Sequence, residues 1–196
     1  MGRPKVNPWI PVYRVDGYGE VPLTVLSVLP LLFFLGITYR HYRANRWGDA
    51  LWMCHLSNLL LAAGLFFNNS FLVFMALPWL LFGIPLWLAE VIRTRKVVPL
   101  SVLTHFGGAA IALYAAHRMG AAPGTWWASW LFALAAQGVC RLFTPPELNV
   151  NVTHRVYDAW KPFFKSFRSF WLFCIGMAAL ILYSMDKLFS SIYPAH

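Results

Sequence analysis

The chain has 196 residues, of which 59% are hydrophobic, 17% aromatic and only 12% charged. A soluble domain carries about 25% charged residues, so this composition excludes a soluble globular enzyme, a disordered chain and a secreted disulfide scaffold. The net charge of +9 would indicate nucleic acid in a soluble protein. In so apolar a chain it indicates basic loops that face the cytoplasm and anionic lipid, so we expect no nucleic-acid partner.

Apolar stretches follow one another along the chain, each close to the ~20 residues that a helix needs to cross a bilayer. They are far longer than the roughly 10 residues of an outer-membrane barrel strand, and strand-like alternation is absent, so we predict helices. The predicted spans are 22–39, 48–67, 70–92, 97–117, 124–143 and 168–187. The sequence therefore predicts an all-α fold, a polytopic integral membrane bundle of about six transmembrane helices.

The predicted bundle takes up the whole chain, 1–196, as a single membrane domain. Residues 1–21 hold prolines and charges where a signal peptide has its apolar centre, so we expect an N-terminal interfacial segment and no cleavable signal. The first five helices fill 22–143 and the sixth fills 168–187. Between them, 144–167 begins with paired prolines and mixes polar with aromatic residues, which predicts a cytoplasmic interfacial loop.

Lysine and arginine are unevenly divided between the two ends of the predicted bundle. The loops after the first, third and fifth helices hold more than twice as many of them as the other end and the two termini together. By the positive-inside rule, these loops are cytoplasmic and both termini face the other side. We expect the protein in the cytoplasmic, or inner, membrane.

Polar side chains collect at the predicted cytoplasmic end of the spans. Counted from the start of the second helix, Cys54 lies about 9 Å deep, with His55 next to it and Asn58 one turn deeper. His105 lies about 12 Å into the fourth helix, a similar depth. Ionisable groups inside a span are costly unless they face a protein interior. Further polar residues come near the cytoplasmic ends of the third and fifth helices, where they either join this layer or reach the headgroups: Glu90, Gln137, Cys140 and Arg141.

Cys54 and His105 are the predicted nucleophile and base of this layer. Adjacent helix positions point about 100° apart, so Cys54 and His55 do not face one another. Asn58, four residues after Cys54, shares its helix face and could orient the imidazole or a substrate carbonyl. A cysteine activated by a histidine is suited to acyl transfer. The alternative is that the cysteine only packs, because cysteine is common in buried helices.

Two segments and one histidine carry a resemblance to a known family. The first segment, LWMCHLSNLLLAA, has a Cys-His pair early in the second helix, and the second, PELNVNVTHRVYDAWKPFF, has an Asn-x-Asn pair before an Asp and an aromatic, proline-containing stretch. His105, in SVLTHFGG, completes the pattern. The chain resembles a six-helix membrane family that includes the bacterial YwaF-like proteins and an animal transmembrane acyltransferase of ether phospholipid synthesis. Its layout is also similar to the androgen-induced lipid hydrolases, which pair a Thr in the second helix with a His in the fourth.

The resemblance implies a thiol-dependent lipid acyltransferase or lipid ester hydrolase near the cytoplasmic leaflet, with a phospholipid or other acyl lipid as partner and no cofactor. Cys54 would be the nucleophile and His105 the base. Asn149, Asn151 and Asp158 match the family's polar loop, which would cap the cavity, although an Asn-rich turn can also satisfy its own backbone. The predicted substrate-binding residues are these three loop residues and the polar layer: His55, Asn58, Glu90, Gln137 and Arg141.

Two non-enzymatic interpretations use the same polar layer. His55 and His105 could be axial ligands of a haem, as in b-type cytochromes. Alternatively, the layer could be the binding site of a small transporter or an assembly subunit, with Pro78 and Pro85 kinking the third helix. No metal site is predicted, because the spans hold no His-x-x-x-His spacing and no paired carboxylates.

Overall fold

The structure, a computed structural model, describes residues 21–193 and contains no strand in that range. The predicted all-α bundle is confirmed. Its main helices are α1 (Leu23–Arg43), α2 (Met53–Phe66), α3 (Ser70–Thr94), α4 (Pro99–Met119), α5 (Trp126–Phe143) and α6 (Phe167–Ile192). The predicted interfacial segment, 1–21, lies outside the described residues except for its last residue.

Four of these helices, α1, α3, α4 and α6, are long and apolar enough to cross a membrane. The outer surfaces of α1 and α6 are rich in large apolar side chains; Leu32 is 54% exposed and Leu180 is 58% exposed. A surface of this kind is unfavourable in water and suits hydrocarbon. α5 is shorter, with 18 residues, and Gln137 and Arg141 lower its hydropathy. The architecture is compatible with an integral membrane protein.

The second predicted span, 48–67, is not one continuous helix. Trp47–Leu51 form a separate 3-10 turn, and Trp52, with ψ of 140°, is extended and separates this turn from α2. Asp49 holds the turn, since its buried carboxylate accepts hydrogen bonds from Arg46 Nε at 2.7 Å and Trp52 Nε1 at 3.4 Å. α2 therefore has only 14 residues. Cys54 lies in its first turn, not about 9 Å inside a helix as the sequence predicts.

The apolar core lies between α2, α3 and α4. Leu61 and Leu65 of α2 are buried together with Leu77 and Leu80 of α3. α4 contributes small side chains, which allow helices in membranes to approach closely: Ala109, Ala112, Ala115 and Ala116. The core fills one half of the bundle. The links between α1 and α2, α3 and α4, and α5 and α6 form the other end, which we call the basic end because most of the arginines and lysines lie there.

α4 contains one turn that the sequence does not predict. Leu103–Gly107 are π-helical, whereas the helix before and after them is regular. His105 is at the centre of this turn and is only 4% exposed. Single π-helical turns inside α-helices occur frequently at functional sites, so this turn directs attention to His105.

α6 supplies the cap for the start of α5, which has no capping side chain of its own. The buried carboxylate of Asp186 accepts hydrogen bonds from the backbone N–H groups of Gly124 at 3.1 Å and Thr125 at 2.9 Å, and from the Thr125 hydroxyl at 3.2 Å. A carboxylate at this position satisfies unpaired N–H groups and interacts favourably with the helix dipole. Asp186 therefore joins α6 to α5.

Replacing Asp186 by alanine will lower the free energy of unfolding by about 2 kcal/mol, because buried N–H groups lose their acceptor. The measurement is the midpoint temperature for loss of the monodisperse protein in detergent, followed by size-exclusion chromatography. Ser184→Ala is the matched control, since the exposed Ser184 hydroxyl donates only to the Leu180 carbonyl of its own helix. Equal midpoints for Asp186→Ala and the control would contradict the capping role.

Candidate functional site

Cys54 and His105 meet at Gly83 of α3. A Cβ atom placed on Gly83 would lie 3.3 Å from Cys54 Cβ and 3.9 Å from His105 Nε2. α2 and α4 therefore place the Cys54 Cβ atom and the His105 ring beside the same residue of α3, and the absence of a side chain on Gly83 leaves room there. The structure brings the predicted nucleophile and base to the same glycine. The sequence gives no signal for Gly83 beyond its place on an apolar helix.

The His105 ring is held on two sides. Its Nδ1 lies 2.8 Å from the Ser101 carbonyl oxygen. A carbonyl can only accept, so in the neutral ring Nδ1 carries the proton and Nε2 has the free lone pair. Trp87 of α3 stacks on the ring, with centroids 5.2 Å apart and planes inclined by 24°. The nitrogen that can act as a base is thus the one beside Gly83.

Asn58 is bonded through its amide nitrogen to the backbone on both sides of the pair, and its predicted role of orienting the imidazole or a substrate carbonyl stays a prediction. Its Nδ2 donates to the backbone carbonyls of Cys54 at 2.8 Å and Thr104 at 3.0 Å. Its Oδ1 is buried and accepts no hydrogen bond among the described residues. This oxygen also lies where a side chain on Gly108 would be, 2.5 Å from an added Cβ. Asn58 therefore fixes the α2 and α4 backbones next to the pair.

His55 lies beside His105, and His41 lies beside His55 on the side of the basic end. The centroids of the two rings are 6.5 Å apart, and those of His41 and His55 are 5.6 Å apart. We call His41, His55 and His105 the histidine row. Asp49 contacts two of its members, since its backbone carbonyl lies 3.0 Å from His55 Nδ1 and its Oδ2 lies 3.8 Å from His41 Nδ1.

His41 and Asp49 are absent from the sequence-predicted site. A signal for Asp49 exists, because it is the one carboxylate within the predicted span 48–67. His41 lies in the last turn of α1, between arginines, as is common at the end of a helix. Its sequence context therefore gives no such signal. Its place in the row depends on how α1 packs against α2, which no pattern within α1 determines.

Asn151 of the loop after α5 is bound to the start of α2. Its Nδ2 donates to the Leu51 carbonyl at 2.7 Å, and its Oδ1 accepts from the Met53 N–H at 3.0 Å. The loop therefore caps the helix on which Cys54 is the second residue. The Asn151 amide is directed to the backbone of α2, and capping of a substrate cavity by this loop stays a prediction.

Gln137, Cys140 and Arg141 form a second cluster around the same loop, not around Cys54. Gln137 Nε2 donates to the Asn151 carbonyl at 2.9 Å, and Asn151 Nδ2 lies 3.4 Å from Cys140 Sγ. Arg141 Nη1 donates to the Thr153 carbonyl at 3.0 Å. Among the described residues, no hydrogen bond joins these three residues to Cys54 or His105; they hold the loop, whose Asn151 in turn binds the start of α2.

Asn149 folds the loop on itself. Its Oδ1 accepts hydrogen bonds from the N–H groups of His154 at 2.9 Å and Arg155 at 3.0 Å, and its Nδ2 donates to the Arg155 carbonyl at 3.1 Å. Asn149 and Asn151 have φ of 46° and 50°, a region that asparagine adopts more readily than most residues. For Asn149 the structure matches the alternative of a turn that satisfies its own backbone.

Glu90 and Asp158 lie outside the site that the sequence assigns to them. Glu90 is exposed and forms an ion pair with Arg93, at 2.6 Å. The Asp158 side chain is 93% exposed and lies 2.7 Å from Lys161 Nζ. The hydrogen bond from Lys161 holds the pKa of the Asp158 carboxyl below its usual range. Both carboxylates are satisfied by a cation three residues along the chain, which explains why neither turns toward Cys54.

The fold and the site define a helical membrane bundle with a cysteine and a histidine beside one glycine. No family model, curated protein or solved structure matches the chain. Within 21–193, no three His, Cys, Asp or Glu side chains are placed to hold a metal ion together. The chemistry of the site must therefore be argued from its own residues.

Proposed function

We propose that the protein is a membrane-embedded lipid acyltransferase or lipid ester hydrolase, with Cys54 as the nucleophile and His105 as the base. The observation that carries this proposal is that Cys54 Cβ and His105 Nε2 both lie beside Gly83. In the first step, Nε2 takes the thiol proton, Sγ attacks the ester carbonyl carbon, and the leaving alcohol takes the proton from His105. A lipid hydroxyl or water then cleaves the thioester.

The position of Cys54 on α2 supports the same chemistry. It is the second residue of the helix, where the positive end of the helix dipole favours a thiolate and acts against the burial that disfavours it. It also lies toward the basic end. We place this end in the cytoplasm because of its arginines and lysines, which puts Cys54 at the boundary where lipid esters lie. A phospholipid or other acyl lipid is the substrate that fits this position.

The two non-enzymatic interpretations receive less support. Both His55 and His105 have a free Nε2, as haem ligands need. However, Trp87 covers one face of His105. The space beside Gly83 is also small, since an added Cβ there would lie 3.3 Å from Cys54 Cβ. This crowding favours a compact Cys–His site over a macrocycle. α3 is one helix of 25 residues across Pro78 and Pro85, whereas transporter binding sites commonly use broken helices.

Mass spectrometry of the intact purified protein after incubation with a lipid extract tests the proposal. We expect a mass increase of one acyl chain, mapped to the peptide that contains Cys54 and removed by hydroxylamine, which cleaves thioesters. Cys174→Ala is the matched control, because Cys174 is another partly exposed free cysteine in a membrane helix, and this variant should keep the adduct. An adduct on Cys174 alone, or a haem absorption band with no adduct, would refute the proposal.

A further inference from the structure

The histidine row connects the Cys54–His105 pair to the boundary of the bundle. His41 is partly exposed, whereas His55 and His105 are buried. Neighbouring rings are in contact, at centroid distances of 5.6 Å and 6.5 Å. Imidazoles accept and release protons near neutral pH and serve as proton shuttles. A row of three of them, graded from partly exposed to buried, is an arrangement that packing alone does not require.

The hydrogen bonds of the row fix which nitrogens can exchange protons. In the neutral state, His55 Nδ1 donates to the Asp49 carbonyl and His105 Nδ1 donates to the Ser101 carbonyl, so both Nε2 atoms carry the free lone pair. The Asp49 carboxylate lies 3.8 Å from His41 Nδ1 and can stabilise the protonated ring. Asp49 thus orients the middle histidine with its backbone and the outer histidine with its side chain.

We propose that His41 and His55, held by Asp49, form a proton pathway between His105 and the cytoplasmic boundary, and that water is the acyl acceptor at this site. This inference rests on the proposed function. The reason is proton balance: transfer of an acyl chain from one hydroxyl to another releases no proton, whereas hydrolysis of an ester to a carboxylate releases one. A pathway that removes protons from His105 is needed only for hydrolysis.

Water then cleaves the thioester on Cys54, with His105 as the base. His105 Nε2 takes a proton from water, the water oxygen forms a bond to the thioester carbon, and the bond between this carbon and Cys54 Sγ breaks. The thiolate takes back the proton from His105. The carboxylic acid product then gives its own proton to His105, and His55 and His41 pass it to bulk water. Cys54 is again a thiol, and the products are a carboxylate and one exported proton.

The charges around the row lie at its outer end. The Asp49 carboxylate favours a protonated His41 ring, whereas the positive charges of Arg40 and Arg46 oppose it, and Arg46 is itself paired with Asp49 at 2.7 Å. At the other end of the row, His105 of α4 lies against Gly83 and Trp87 of α3, and neither of these two residues carries a charge. Asp49 is therefore the one carboxylate against the row among the described residues, and it lies at the end through which the proton leaves.

The experiment follows release of free fatty acid by the full-length protein in nanodiscs containing a defined phosphatidylcholine, in water enriched in oxygen-18. The wild type should release fatty acid that carries one oxygen-18 atom, at a steady rate. His41→Ala should release about one equivalent per protein at the wild-type rate and then slow by roughly 10- to 100-fold, because His105 stays protonated after the first turnover. Imidazole added to the buffer should restore the steady rate.

A control and three contrary outcomes complete the test. His117→Ala should behave as the wild type, since His117 contacts Tyr193 at the other end of α4. A structural defect in His41→Ala would also reduce the first equivalent and would not respond to imidazole, which would overturn the pathway. Acyl transfer to a second lipid without free fatty acid would overturn water as acceptor. If the wild type forms no Cys54 adduct and releases no acid, the proposed function fails together with the pathway.

Discussion

Replacing His105 by glutamine will slow acylation of Cys54 by about 10²- to 10⁴-fold, the usual contribution of a positioned general base. Glutamine is polar and of similar length, but its amide nitrogen has no lone pair that can take the thiol proton. The pocket between Ser101 and Trp87 should still be filled, so the fold should persist. The measurement is the rate at which the Cys54 adduct appears, by rapid quenching and mass spectrometry.

The pH dependence of this variant separates loss of a base from loss of structure. As the pH rises, hydroxide can take over the removal of the thiol proton, so the difference between His105→Gln and the wild type should become smaller. His117→Gln, on the same helix but beyond the site, should acylate at the wild-type rate at every pH. Acylation of His105→Gln at the wild-type rate near neutral pH would show that His105 is not the base.

Replacing Gly83 by alanine will slow acylation by about 100-fold, although no reacting group is removed. The added methyl group would lie 3.3 Å from Cys54 Cβ and 3.6 Å from His105 Cδ2, in the space between the two side chains. The methyl group would occupy space that the ester carbonyl needs to reach Cys54, and a misplacement of the substrate by about 1 Å is enough for a loss of this size. The cost in folding free energy should stay within about 1–3 kcal/mol, as for other small increases in core volume.

Two other helical glycines provide matched controls for Gly83→Ala. A Cβ on Gly138 of α5 or Gly176 of α6 would meet no atom within 4 Å. Gly138→Ala and Gly176→Ala should therefore acylate at the wild-type rate and keep the thermal midpoint in detergent. If Gly83→Ala behaves like these two variants, the space beside Gly83 is not where the thiol and the imidazole react.

The helices could be predicted from the sequence because one physical requirement determines them. A segment that crosses a bilayer must be apolar over most of its length and must satisfy its own backbone hydrogen bonds, and α3, predicted as 70–92, is observed as Ser70–Thr94. The prediction was wrong for the start of α2. Trp47–Leu51 are apolar enough to extend a helix, but the hydrogen bonds from Arg46 and Trp52 to Asp49 stabilise a 3-10 turn instead.

The composition of the site was harder to predict because it depends on how helices are rotated against one another. Depth along an axis could be counted, and it brought Cys54 and His105 to the same level. Depth does not tell which side chains of neighbouring helices face one another, so Gly83, Trp87 and His41 were missed. Glu90 was included for its depth alone, but it pairs with Arg93 at the surface.

The bond between Asn151 and the start of α2 has a consequence for the length of the loop. Asn151 reaches both Leu51 and Met53, and Gln137 of α5 holds the Asn151 carbonyl. Asn151 is thus bonded both to α5 and to the start of α2, which fixes the length of the chain between α5 and Asn151. One residue added or removed within 144–150 would move the amide off the helix that carries Cys54, whereas the exposed stretch around Lys161 can vary in length without this effect.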